Sequence, residues 1–151
     1  MTLSFKIAGR IAKPVSEVFE ALVNPDLLSN YFTTAGSSGP LETGKTVHWN
    51  FEDFPGPVNV RVSEVVRDQK IVLHWAARDA DENDDRETTI SMVFEPLEDG
   101  RTLVSISEEG WRDTPRGRDT SYENCEGWTQ LLCSLKAFIE HGVDLRRDYY
   151  K

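Results

Sequence analysis

The stretch from Ser121 to Arg147 sets the terms for any fold this chain adopts. Cys125, Trp128, Leu131, Leu132, Leu135, Phe138, Ile139, Gly142 and Val143 recur at three- and four-residue steps, which gathers them on one face of a helix. Glu126, Gln130, Ser134, Lys136 and Glu140 fall on the opposite, polar face. At about 1.5 Å per residue such a helix runs more than roughly 30 Å, the width of a small domain. Its apolar stripe therefore needs a whole sheet to cover it.

A chain of 151 residues predicts one domain, residues 1–151, able to bury a single core. Lys and Arg total 17 against 26 for Asp and Glu, a net charge of −9, and no basic stripe interrupts that acidity. Nucleic acid and anionic membranes are excluded as expected partners. No stretch has the composition of a signal peptide or the roughly eighteen consecutive apolar residues of a membrane span, so a soluble, cytoplasmic protein is expected. Cys125 and Cys133 lie on one helix about 12 Å apart along its axis, beyond the roughly 7 Å reach of a disulfide. Both are expected as reduced, small buried hydrophobes, with Cys125 nearer the helix start and so the more reactive.

Leu3, Phe5, Ile7 and Ile11 alternate with polar or small residues and predict a first strand. Pro14 opens a short helix with Val15, Val18, Phe19 and Leu22 on one face, ended by Asn24-Pro25. Asp26 is placed to cap a second short helix, Leu27 to Phe32. Thr33 to Gly44 reads as a loop. Thereafter the period is two. Val47, Trp49 and Phe51, then Val58, Val60 and Val62, joined by Pro55-Gly56-Pro57, then Ile71, Leu73 and Trp75 mark three strands. The acidic run Arg78 to Arg86 reads as a solvated hairpin tip. Ile90, Met92 and Phe94, a turn at Glu98-Asp99-Gly100, and Leu103 to Ser107 complete the strands, and Gly110 to Arg118, holding Trp111, reads as a second loop. Helices segregated from a run of strands define an α+β fold. Strands curved around one long helix leave a space between sheet and helix, with the short helices and loops at its mouth.

No Gly-x-Ser-x-Gly elbow, phosphate loop, His-Glu-x-x-His pair or Cys-x-x-Cys motif occurs, so no catalytic residue, metal or cofactor is expected. His48 and His74 fall on the polar face of their strands, and His141 at the helix end suits the dipole. What the pattern does supply is rings. Trp49, Phe51, Trp75, Phe94, Trp111, Trp128 and Leu132 have the alternation or position to face the space under the helix, with Tyr31 and Phe32 at its rim. Glu108 has the strand parity of Ile106, which sends a carboxylate inward among them. Apolar walls with a few placed polar groups are the composition of a ligand site. Arg112 is a candidate ion-pair partner for Glu108, and the pair Asp113 and Arg116 a candidate gate.

Arg10 to Pro25, followed by Tyr31-Phe32-Thr33-Thr34, resembles the opening of the family of activators of the ninety-kilodalton heat-shock protein ATPase. Gly127-Trp128 followed by Leu131, Leu132, Leu135 and Phe138 is similar to that family's closing helix. The resemblance runs from about Phe5 to Val143. It implies the START-like, birch-pollen-allergen-like superfamily and its helix-grip fold, a curved six-stranded antiparallel sheet gripping the C-terminal helix. That superfamily includes lipid carriers, hormone receptors, aromatic cyclases and chaperone activators.

Three functions follow as expectations. The first is a binding module for an apolar or aromatic small molecule. The second is a protein-interaction domain with a chaperone-like partner, and the third a cyclase- or hydrolase-type enzyme using Glu108. The sequence favours the first, because it offers many rings and few clustered titratable groups. Monomer and homodimer are both open.

Overall fold

The computed structural model describes residues 2–151. Its elements run β1 (Thr2–Ile11), α1 (Val15–Val23), α2 (Pro25–Leu28), β2 (Thr46–Phe51), β3 (Phe54–Val66), β4 (Lys70–Ala76), β5 (Glu87–Pro96), β6 (Thr102–Arg112) and α3 (Pro115–His141). The six strands form one antiparallel sheet in the order β1-β6-β5-β4-β3-β2. Its inner face packs on α3 and α1, the helix-grip arrangement expected from the sequence. Period-two patterning places Val60, Val62, Ile71, Leu73, Ile90, Met92, Val104 and Ile106 in the core, while Trp128, Leu131, Leu132 and Leu135 answer from α3.

Several local expectations are corrected. Helix α3 begins six residues earlier than Ser121 and stops at His141, short of Arg147. The Thr114 hydroxyl accepts from Gly117 N–H, Pro115 takes the first turn, and Gly142 closes the far end at φ 67°. The loop predicted over Gly110–Arg118 is thus divided between β6 and α3. Its early turns carry polar Thr120 and Ser121 on the buried side, so no apolar period marks them. Gln130 and Ser134, placed on the outer face by pattern, are also buried and bond each other at 2.7 Å. Cys133 is exposed and Cys125 half-buried, because α3 turns its Trp128–Leu135 stripe inward instead.

Helix α2 is only Pro25–Leu28, and its cap is Asn24, whose side chain accepts from Asp26 N–H, with Asp26 itself inside the first turn. Tyr31 and Phe32 follow it in turns and are buried. The β2–β3 turn lies at Glu52–Asp53, and Pro55-Gly56-Pro57 belongs to β3. Prolines are tolerated there because β4 pairs only with Arg61–Val66, leaving that flank of β3 without a partner. In the acidic run Asp79 is buried: its carboxylate accepts from Arg112 N–H at 3.0 Å and pairs with Arg86 at 3.1 Å, fastening the β4–β5 connection to the end of β6.

Candidate functional site

Glu108 sits on β6 opposite Ile90 of β5 and Phe5 of β1, and is fully buried. Alternation forces its side chain inward, and the surroundings supply only neutral donors. Oε1 accepts from Thr88 Oγ1 at 2.6 Å, Trp75 Nε1 at 2.8 Å and Asn124 Nδ2 at 3.1 Å. Oε2 accepts from Trp128 Nε1 at 2.7 Å. Each carboxylate oxygen offers about two lone-pair sites, so Oε1 is fully used while Oε2 keeps one free. Burial raises its pKa above the ordinary carboxylate range, against the four hydrogen bonds, which favour the charged form. No cation joins it. Arg112 pairs instead with Asp84 at 3.0 Å.

The rings are continuous with this cage. Trp75 and Trp128 stack with centroids 5.2 Å apart, Phe32 stacks on Trp128 at 5.9 Å, and Trp49 meets Phe32 and Trp75 edge-on at 5.4 and 6.3 Å. Phe51 extends the cluster toward solvent, edge-on to Phe32 at 5.1 Å. Such geometries each add about 0.5–1.5 kcal/mol beyond burial. Among the described residues, Trp49 Nε1 is buried in this cluster with no hydrogen-bond partner.

Six of the expected residues therefore come together: Glu108, Phe32, Trp49, Phe51, Trp75 and Trp128. The other four lie apart. Phe94 packs edge-on to Phe19, Tyr31 stacks on Phe138 and donates to the Ala21 carbonyl at 2.8 Å, and Leu132 approaches Gly9. Trp111, near the C-terminal end of β6, stacks on Phe5, the β1 neighbour of Glu108, and not on the other indoles. The expected Asp113–Arg116 gate does not form, since Asp113 pairs with Arg118, and Arg116 donates to the Arg78 carbonyl at 3.0 Å. Thr88 and Asn124 join the cage from outside the expected set, and both carry a signal in the sequence: Thr88 shares the parity of Ile90 and Met92, and Asn124 precedes Trp128 by one helical turn. Among the described residues, no three His, Cys, Asp or Glu side chains are placed to hold a metal ion.

The sequence profile described as activator of Hsp90 ATPase homolog 1-like protein matches residues 12–140. No curated protein matches the chain. Among solved structures, protein SSP2350 of Staphylococcus saprophyticus is 27% identical with a TM-score of 0.79, covering 95% of this chain and 96% of that one. The Aha1 dimer of Colwellia psychrerythraea is 21% identical at TM-score 0.72, covering 93% and 98%. The Hsp90 activator PFC0360w of Plasmodium falciparum is 22% identical at 0.71, covering 91% and 96%; these last two likenesses show the fold alone.

Proposed function

The chain belongs to the activator of Hsp90 ATPase homolog 1-like family, and we propose that it is a binding module for an apolar or aromatic small molecule, held between sheet and helix without covalent chemistry. The observation that supports this reading is the Glu108 cage. Burying a carboxylate with no cation costs several kcal/mol even when hydrogen-bonded, and an apolar side chain would fill the same place more cheaply. Groups held at such cost are concentrated at functional sites. A flat aromatic ligand would part the stack of Trp75 and Trp128, and its hydroxyl would replace the Asn124 amide, the longest of the four bonds to Glu108.

Native mass spectrometry and a thermal-shift screen against fatty acids, flavonoids, sterols and aromatic polyketides test the proposal. A shift of several degrees with one class, together with quenched tryptophan fluorescence, is the expected result. No co-purified ligand and no shift with any class would defeat it.

A second reading, a protein-interaction domain, draws support from exposed Tyr122, Leu145 and Tyr149, which flank a cleft of about 450 Å³ beside Cys125 and Cys133. Stimulation of a purified Hsp90-type ATPase, lost in Tyr122→Ala, would favour that reading.

A further inference from the structure

The C-terminal residues after α3 carry a feature that the site above leaves unused. The helix ends at Gly142, whose left-handed conformation turns the chain while Gly142 N–H bonds Phe138 O and Val143 N–H bonds Ala137 O. The tail then lies beside α3 and reaches the β2–β3 turn. There Arg146 Nη1 and Nη2 donate to Asp53 Oδ2 and Oδ1 at 2.6 and 2.9 Å, across 93 residues of sequence. Both side chains are buried, 4% and 9% exposed. The guanidinium lies between two rings, 4.8 Å from Tyr150 and 5.6 Å from Phe51.

Apart from Arg146, and from Tyr150 and Lys151, which sit on Phe54 of β3, the rest of the tail is exposed. Among the described residues, its other hydrogen bonds beyond the helix cap are local ones: Asp144 accepts from Arg146 N–H and Arg147 N–H, and Arg146 O from Tyr149 N–H. Val143, Leu145, Arg147, Asp148 and Tyr149 are exposed. A cleft of about 520 Å³ opens between the tail and the β2–β3 turn, and one of about 450 Å³ between the tail and α3. The tail is thus held at the β2–β3 turn by one buried ion pair and by Tyr150 and Lys151 on Phe54, 5.9 and 5.5 Å from its ring, and a segment fastened at one such patch opens locally at lower cost than the fold unfolds. On opening, Arg146 and Asp53 both reach water, so neither is left as an unpaired buried charge.

The latch also sits at a particular place. Arg146 covers Phe51, Phe51 packs on Phe32, and Phe32 on Trp128, whose indole N–H holds Glu108. Two rings separate the latch from the cage. We propose that residues 142–151 are a hinged strap latched by Arg146 and Asp53, and that its release admits a small molecule to the aromatic cluster at Glu108. This inference builds on the binding-module reading and adds the step that controls entry.

Asp53→Asn and Arg146→Lys test it in the full chain. The first removes the charge while keeping the shape; the second keeps the charge but loses the two-pronged geometry. Two quantities are read far below the melting temperature: acrylamide quenching of tryptophan fluorescence, and the association rate of 2-naphthol by stopped flow. With the strap released, the quenching slope should rise roughly twofold, and the 2-naphthol rate up to about tenfold, as the entry-competent fraction grows. Wild-type quenching and rate in both variants, with native far-UV spectra, would overturn the strap. Raised quenching with no 2-naphthol binding by any form would support the strap as a cover and sink the binding-module reading instead.

Discussion

Trp128 Nε1 of α3 donates to Glu108 Oε2 of β6 at 2.7 Å, the one hydrogen bond on that oxygen, while Oε1 carries three. This asymmetry joins helix to sheet through a buried charge and dictates how the cage responds to substitution. In Glu108→Gln the amide oxygen should turn to the three-donor side, leaving an NH2 group against Trp128 N–H. A donor facing a donor costs about 1–3 kcal/mol. Urea unfolding should show that loss, and a gain in stability would mean that relief of the buried charge outweighs the lost bond.

Trp128 contributes both the ring and the hydrogen bond, and two substitutions separate them. Trp128→Ala should cost about 3–5 kcal/mol as a core truncation, whereas Trp128→Phe keeps most of the stack and should cost about 1–2 kcal/mol, chiefly for the lost indole donor. A change below about 1 kcal/mol in the alanine variant would contradict the burial of this ring against Phe32 and Trp75.

Hydrogen bonding by Arg146 holds the Asp53 carboxyl below its usual pKa, against the effect of burial. A depressed folded-state pKa contributes stability that is complete above the unfolded value, about 4, and is lost as pH falls through the folded value. Acid should therefore weaken the fold through this pair, and Asp53→Asn should flatten that part of the profile below about pH 4 in thermal melts. Glu108 works in the opposite sense. Its raised pKa favours the folded state most at low pH, and that contribution fades as pH climbs past the raised value.

Gly117 lies where α3 passes the end of β6, and a Cβ there would stand 1.9 Å from the Arg112 carbonyl oxygen. Backbone cannot yield as a side-chain tip can, so the helix start must move. Gly117→Ala should cost about 3 kcal/mol or more, lowering the melting temperature by roughly 6–12 °C in a domain of this size. A wild-type melting temperature would show that the first turn of α3 shifts freely.

Periodicity alone determined the sheet, the α+β class and the long final helix, because burial of one face imposes a spacing of two or about three and a half residues. It likewise determined that Glu108 points inward, since its parity with Ile106 is a local property of the strand. Tertiary structure decided what meets that carboxylate. Thr88, Trp75, Asn124 and Trp128 come from three elements whose relative height follows from strand register and from where α3 begins, and the polar first turns of α3 hid that start from any apolar count. It also decided that Trp111 packs on Phe5 and not with the other indoles, and that Arg146 meets Asp53. Pairings across 93 residues leave no periodic trace; they exist only once the chain has closed on itself and brought a solvated tail beside a hairpin turn.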